Sequence, residues 1–143
     1  MAAPKGRVLA IDFGMRHIGV ALSDELRILA KSYETINWNG VDPEWALNRL
    51  CEIIRDMNVK VLVIGKPSRT DGTVSESELR AQEFGGELEK RCGLTPVWKD
   101  ERFTTVIAAR YMHDININSR KQKKVIDAVA AEIILQEYLD SQR

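Results

Sequence analysis

The order of apolar runs along the chain predicts an α/β fold: a mixed five-stranded sheet, an antiparallel meander followed by βαβ units, with helices on both faces. Three observations carry this. Two short β-branched runs lie close enough in sequence to form a hairpin, a third run follows them, and helical and strand patterns then alternate. The 143 residues suit one domain over positions 1–143.

The first strand is Arg7–Ile11, closing in Asp12-Phe13-Gly14, and the second is Ile18–Leu22 after a short polar turn. A third strand lies within Ile28–Ile36. Asp42 then reads as an N-cap and Pro43 as a first helical residue, ahead of Leu47, Leu50, Cys51 and Ile54 at helical spacing. Val59–Gly65 is nearly continuous in apolar character and reads as a buried strand. The turn-rich stretch Lys66–Val74 leads to Ser75 and Glu78, a capping box for a helix that carries Leu79, Phe84 and Leu88 inward and stops at Gly93. A short strand at Thr95–Lys99 runs into Asp100-Glu101-Arg102. Thr104 or Thr105 caps a short helix to about Met112, a polar segment spans His113–Gln122, and a last helix covers about Lys123–Tyr138.

Composition excludes several classes. Hydrophobic residues at 44% and charged residues at 29% are globular values, not those of disorder, collagen or coiled coil. No apolar run is long enough to span a membrane, and the N-terminus lacks a signal-peptide core, so no membrane partner and a cytoplasmic location are expected. Cys51 and Cys92 have no metal-ligand spacing and read as reduced packing residues. With 21 basic and 21 acidic residues the chain cannot coat nucleic acid by bulk charge. Any such binding needs a local basic patch, or metal ions that offset its carboxylates.

Three acids stand out by position. Asp12 ends the first strand, Glu101 ends the last, and Asp127 sits among Val125, Ile126, Ala128, Val129, Ala130 and Ala131. A carboxylate in such company is costly unless something pairs with it. Oxygen ligands converging from two strand ends and a helix suit Mg²⁺ or Mn²⁺, one or two ions, and two ions about 4 Å apart are suited to phosphodiester hydrolysis. Each acid also has a plainer reading: a turn aspartate, a surface pair of Glu101 with Arg102, and an ion pair of Asp127 with Lys123 or Lys124.

The segments IDFGMRHIGVALSD, VIGKPSRTDGT, WKDERFTT and RKQKKVIDAVAAEIILQEYL resemble, in that order, the four signature segments of the YqgF (RuvX) family. The resemblance covers nearly the whole chain. It implies an RNase H-like fold and a Holliday-junction-resolvase-like nuclease that processes the 5′ end of precursor 16S rRNA in ribosome biogenesis. It also points to Asp12, Glu101 and Asp127 as the catalytic and metal-binding acids. Met15 stands where the family has a small hydroxyl residue, and Lys66 where it has an apolar one. Ala130 occupies the position of a fourth acid found in resolvases, so Asp100 or a substrate phosphate oxygen would have to complete a second metal site.

Arg120, Lys121, Lys123 and Lys124 crowd four cations just before Asp127, against the helix dipole; from sequence this reads equally as phosphate contact or a solvated helix start, and the family resemblance tips it to phosphate contact. Arg16, Arg69 and Arg102 extend that patch. His17 and His113 read as loop or surface residues, and Trp38, Trp45 and Trp98 as packing residues. Three function classes remain open: a metal-dependent nuclease acting on precursor rRNA or branched DNA, a non-catalytic RNase H-like nucleic-acid-binding module, and a nucleotide phosphotransferase, which needs two such domains. Junction cleavage would favour a homodimer over a monomer; the residues themselves leave both open.

Overall fold

The central strand is the first one. In the computed structural model β1 (Arg7–Phe13) pairs antiparallel with β2 (His17–Ser23) and parallel with β4 (Val59–Lys66). With β3 (Ala30–Asn37) beside β2 and β5 (Val97–Asp100) beside β4, the sheet order is β3-β2-β1-β4-β5. Among the described residues three helices accompany the sheet: α1 (Glu44–Asp56), α2 (Glu76–Cys92) and α3 (Arg120–Ser141). The structure describes residues 6–66, 75–100 and 120–142, without the side chains of 100 and 120–128. The short helix expected to end near Met112 lies outside the described residues.

Alternation along each strand divides the core in two. Leu9, Ile11 and Phe13 of β1 join Ile18, Val20 and Leu22 of β2 and Leu62 and Ile64 of β4 under α1 and α2. Val8, Ala10, Ala21 and Val63 face the other way, onto Ala130, Ala131, Ile134, Leu135 and Leu139 of α3. Burying one large aliphatic side chain contributes roughly 1.5–3 kcal/mol, so these two layers hold the sheet between its helices. Both faces are covered, as the sequence pattern requires.

Helix ends follow local chemistry, with two shifts from the sequence reading. α1 is capped at Pro43 rather than Asp42; the Asp42 Oδ1 accepts the Glu44 N–H at 3.0 Å, an Asx turn one step ahead of the helix. The Ser75 Oγ accepts the Glu78 N–H at 3.1 Å, and Gly93 ends α2 in the left-handed conformation (φ 78°). Leu79 does not point inward: it is 50% exposed, while Glu78 is 5% exposed on the stripe of Ala81, Gly85 and Leu88. The last helix is longer than expected at both ends, so Arg120 and Lys121 belong to it and not to a preceding loop. Cys51 and Cys92 are free and partly buried, as expected, and burial, then the neighbouring Cys92, pushes the Cys51 thiol up.

Candidate active site at the carboxyl ends of the strands

Asp12 is next to last in β1 and 2% exposed. Its alternation with Val8 and Ala10 puts it on the face that α3 covers. Its register partners are Gly19 on β2 and Gly65 on β4, and Gly65 in turn pairs with Lys99 on β5. Directly paired positions share a face of the sheet, so the carboxylate stands between two positions that carry no side chain. Lys99, the next cation in that row, is tied to Glu137 of α3 at 3.3 Å.

The turn after Asp12 is tight for a steric reason. A Cβ at Gly14 would lie 2.6 Å from the His17 carbonyl oxygen, so only glycine fits between β1 and β2. The Trp38 indole N–H donates to the Gly14 carbonyl at 2.7 Å, and Trp38 packs with Phe13 and Phe84 (ring centroids 5.6 and 6.2 Å). An aromatic cluster on the α1/α2 face thus braces the turn that follows Asp12, whose carboxylate lies on the other face. Met15 packs on this aromatic face too, away from Asp12, and Arg16 at the tip is exposed.

α3 runs along the sheet in a direction that two contacts fix. Gln136 accepts the Ala30 N–H at 2.9 Å, and Glu132 accepts the Ser32 hydroxyl at 2.9 Å. Falling residue numbers on α3 therefore approach the end of β3 that lies beside Asp12. Ser32 pairs with Ala21, and Ala21 with Ala10, so Glu132 marks the level of Ala10. The helix is close to the sheet here because Ala130 and Ala131 are small and at most 2% exposed.

The structure describes only some of the expected site residues. Asp12 and Arg16 lie at the same end of β1. Glu101 and Arg102 follow β5 outside the described residues, as does Arg69. Arg120, Lys121, Lys123, Lys124 and Asp127 are positions on α3 whose side chains are outside the description. Among the described residues, no group of three His, Cys, Asp or Glu gathers to hold a metal. No helix among them is long and apolar enough to cross a membrane. The tryptophans depart from the packing expectation in two cases, since Trp45 is 61% and Trp98 37% exposed. Lys66 closes β4 instead of opening a turn, and its ammonium lies 3.5 Å from the buried Glu78 carboxylate.

A meander of three strands, two parallel strands added through helices, and an acid closing the central strand define the RNase H type of fold. Solved structures agree at the level of fold. Thermus thermophilus RuvC in complex with Holliday junction substrate superposes with a TM-score of 0.59 at 13% identity, covering 96% of this chain and 95% of that one. The fowlpox virus resolvase complex with junction DNA gives 0.57 at 12% identity, covering 95% and 98%. The family profile described as "RuvX: Holliday junction resolvase" matches residues 6–141, and the chain belongs to that family. Relatives named "Putative pre-16S rRNA nuclease" include one from Roseiflexus sp. (strain RS-1), 43% identical over the full length of both chains. Another, from Bacillus subtilis (strain 168), is 40% identical over 94% of this chain and 98% of that protein.

Proposed function

We propose that the chain is a divalent-metal-dependent nuclease that hydrolyses phosphodiester bonds in structured nucleic acid, with the 5′ end of precursor 16S rRNA as its substrate and one domain over residues 1–143 carrying the activity. The observation that supports it most is the buried Asp12 carboxylate at the carboxyl end of the central strand, flanked by glycine on both neighbouring strands. A carboxylate at such a depth is costly unless it is paired, hydrogen-bonded or bound to a cation, and a divalent ion meets that need at the end of a strand. Bare glycine backbone on each side leaves room for a phosphate to approach.

The donor set fits Mg²⁺ or Mn²⁺, which take hard oxygen ligands. Asp12, Glu101 and Asp127 would hold one or two ions, Glu101 from the residue just after β5 and Asp127 from α3. Backbone arithmetic supports Asp127. From Glu132, five residues back along the helix cover about 7.5 Å. From Ala10, two residues along β1 to Asp12 cover about 6.6 Å. Positions 12 and 127 thus fall near one level of the sheet. When bound, the metal supplies an activated water and stabilises the departing oxygen. The carboxylates orient it, α3 excludes bulk water from the β1 face, and the basic start of α3 with Arg16 and Arg102 binds the phosphate backbone.

The family description favours a second substrate, the four-way DNA junction. One experiment tests both: a labelled precursor rRNA 5′ segment and a four-way junction are incubated with Mg²⁺ or Mn²⁺ and either wild-type protein or Asp12→Asn. Metal-dependent rRNA cleavage that vanishes in the variant is the expected result. Cleavage of the junction alone would transfer the activity to DNA. Full activity of Asp12→Asn would remove Asp12 from the mechanism.

A further inference from the structure

A cleft of about 270 Å³ opens on the sheet face opposite Asp12, between α2 and the ends of β4 and β5. Lys66, Gln82, Gly86, Glu89, Pro96 and Trp98 line it. We propose that this cleft is a subsite for one unpaired nucleobase of the substrate strand, stacked on Trp98 with its phosphate against Lys66; the proposal rests on the nuclease reading above.

The cleft is built around the indole. A Cβ at Gly85 would lie 2.7 Å from the Trp98 ring and 3.0 Å from the Ile64 side chain, so the ring is seated on bare helix backbone. The ring is seated, yet Trp98 remains 37% exposed. A half-exposed aromatic face beside an open volume is what base stacking needs, and every base has a face to offer. The volume is on the scale of a base rather than of a larger organic ligand.

Charge gives the cleft a direction. Lys66 stands at its upper end, the residue after Gly65, which is itself the register partner of Asp12. Its ammonium is held by the buried Glu78 carboxylate at 3.5 Å, which fixes a flexible side chain on the cleft wall. Glu89 stands at the other end and accepts the Thr95 hydroxyl at 2.9 Å. Glu78 offsets the Lys66 charge, but the ammonium is still partly exposed and keeps N–H groups to donate, whereas Glu89 offers a phosphate only repulsion, so the phosphate is accepted at the Lys66 end. The nucleotide therefore enters with its backbone towards the strand ends, where Asp12 lies, and its base towards Glu89. Gln82 offers both a donor and an acceptor to a base edge. A strand passing over the ends of β1 and β4 thus meets the carboxylate on one face and the indole on the other.

The test measures binding of a labelled single-stranded RNA to full-length Asp12→Asn protein with Mg²⁺ present, so that affinity is read without cleavage. Trp98→Ala is expected to weaken binding about tenfold or more, and Trp98→Phe to retain most of it. Gly86→Leu is the second variant. Gly86 lines the cleft and nothing lies within 4 Å of a Cβ there, so a longer side chain starts from open space and takes up cleft volume, and leucine has the higher helix propensity. It is expected to keep the melting temperature and lose affinity as Trp98→Ala does. An RNA with abasic positions throughout should bind parent and both variants alike. Equal binding of intact RNA by the parent and Gly86→Leu, or no binding by the parent, overturns the subsite. If wild type cleaves while both variants bind normally, the subsite alone fails. If binding depends on Trp98 but no metal-dependent cleavage occurs, the nuclease reading alone fails.

Discussion

Asp12 and Gly65 are register partners across the parallel β1–β4 pair, so the buried carboxylate has only backbone beside it on that strand. Gly19 does the same on the β2 side. A side chain at position 65 would share the face and stand in the path of a phosphate reaching Asp12. Gly65→Val should therefore fold, since valine favours strand over glycine, and lose activity by about a hundredfold, the loss that displacing reactive groups by an ångström can cause. Cleavage kinetics with far-ultraviolet circular dichroism check this. Near-normal cleavage by a folded variant would show that substrate does not pass over Gly65.

The turn that follows Asp12 is held from the opposite face. Trp38→Phe keeps the aromatic packing on Phe13 and Phe84 but deletes the 2.7 Å hydrogen bond to Gly14, at a cost of about 1 kcal/mol. Gly14→Ala is harsher, because its Cβ falls 2.6 Å from the His17 carbonyl; overpacking of this kind costs about 1–3 kcal/mol. Denaturant midpoints should rank wild type above Trp38→Phe and Trp38→Phe above Gly14→Ala. Gly14→Ala should also lose cleavage, since the shifted turn moves the end of β1.

How far the site was legible depends on whether a feature is local. β1, the acid near its end and the hairpin were readable because two continuous apolar runs and Asp-x-Gly are near neighbours in sequence. The glycines beside Asp12 were not, because register joins positions 12, 19 and 65, and no single stretch of sequence specifies register. Leu79 is apolar yet exposed, because helical angle and not residue type sets which side of α2 is buried. Leu79 precedes Phe84 by five residues and Leu88 by nine, which turns it well away from both. Glu78 precedes Ala81 by three and Gly85 by seven, and so sits on the buried stripe. The exposure of Trp98 is likewise a tertiary outcome, since it depends on Gly85 and Gly86 giving the ring a seat and an opening.

Acid sensitivity should include a contribution from the β2–β3 turn. Burial pushes the Asp24 carboxyl up, but the N–H groups of Leu29 and Ile28 outweigh it and hold the group below the usual carboxylate range. The two bonds measure 3.0 and 2.7 Å. A carboxyl depressed on folding adds stability above its unfolded pKa and loses it as pH falls through the folded value. Asp24→Asn keeps an acceptor and removes the charge. The gap in denaturant midpoint between wild type and this variant should be largest near neutrality and close below the usual carboxylate range. A gap independent of pH would assign the turn's stability to hydrogen bonding alone.

Binding should be steeply dependent on salt although the chain is neutral overall. Equal numbers of acids and bases cancel at long range, and only a local cluster can hold a phosphate backbone. Arg120, Lys121, Lys123 and Lys124 open α3, where cations oppose the helix dipole and gain nothing from it. Their expected return is release of counterions from the bound strand. Removing one phosphate contact lowers the slope of log affinity against log salt by roughly 0.7 for a single strand and 0.9 for a duplex. Lys123→Ala and Lys124→Ala should each reduce the slope by about that amount and weaken all sequences alike, because phosphate contacts carry no base information. An unchanged slope with intact affinity would return these residues to a solvated helix face. In that case Arg16, with Arg102, is left as the basic candidate on the substrate path.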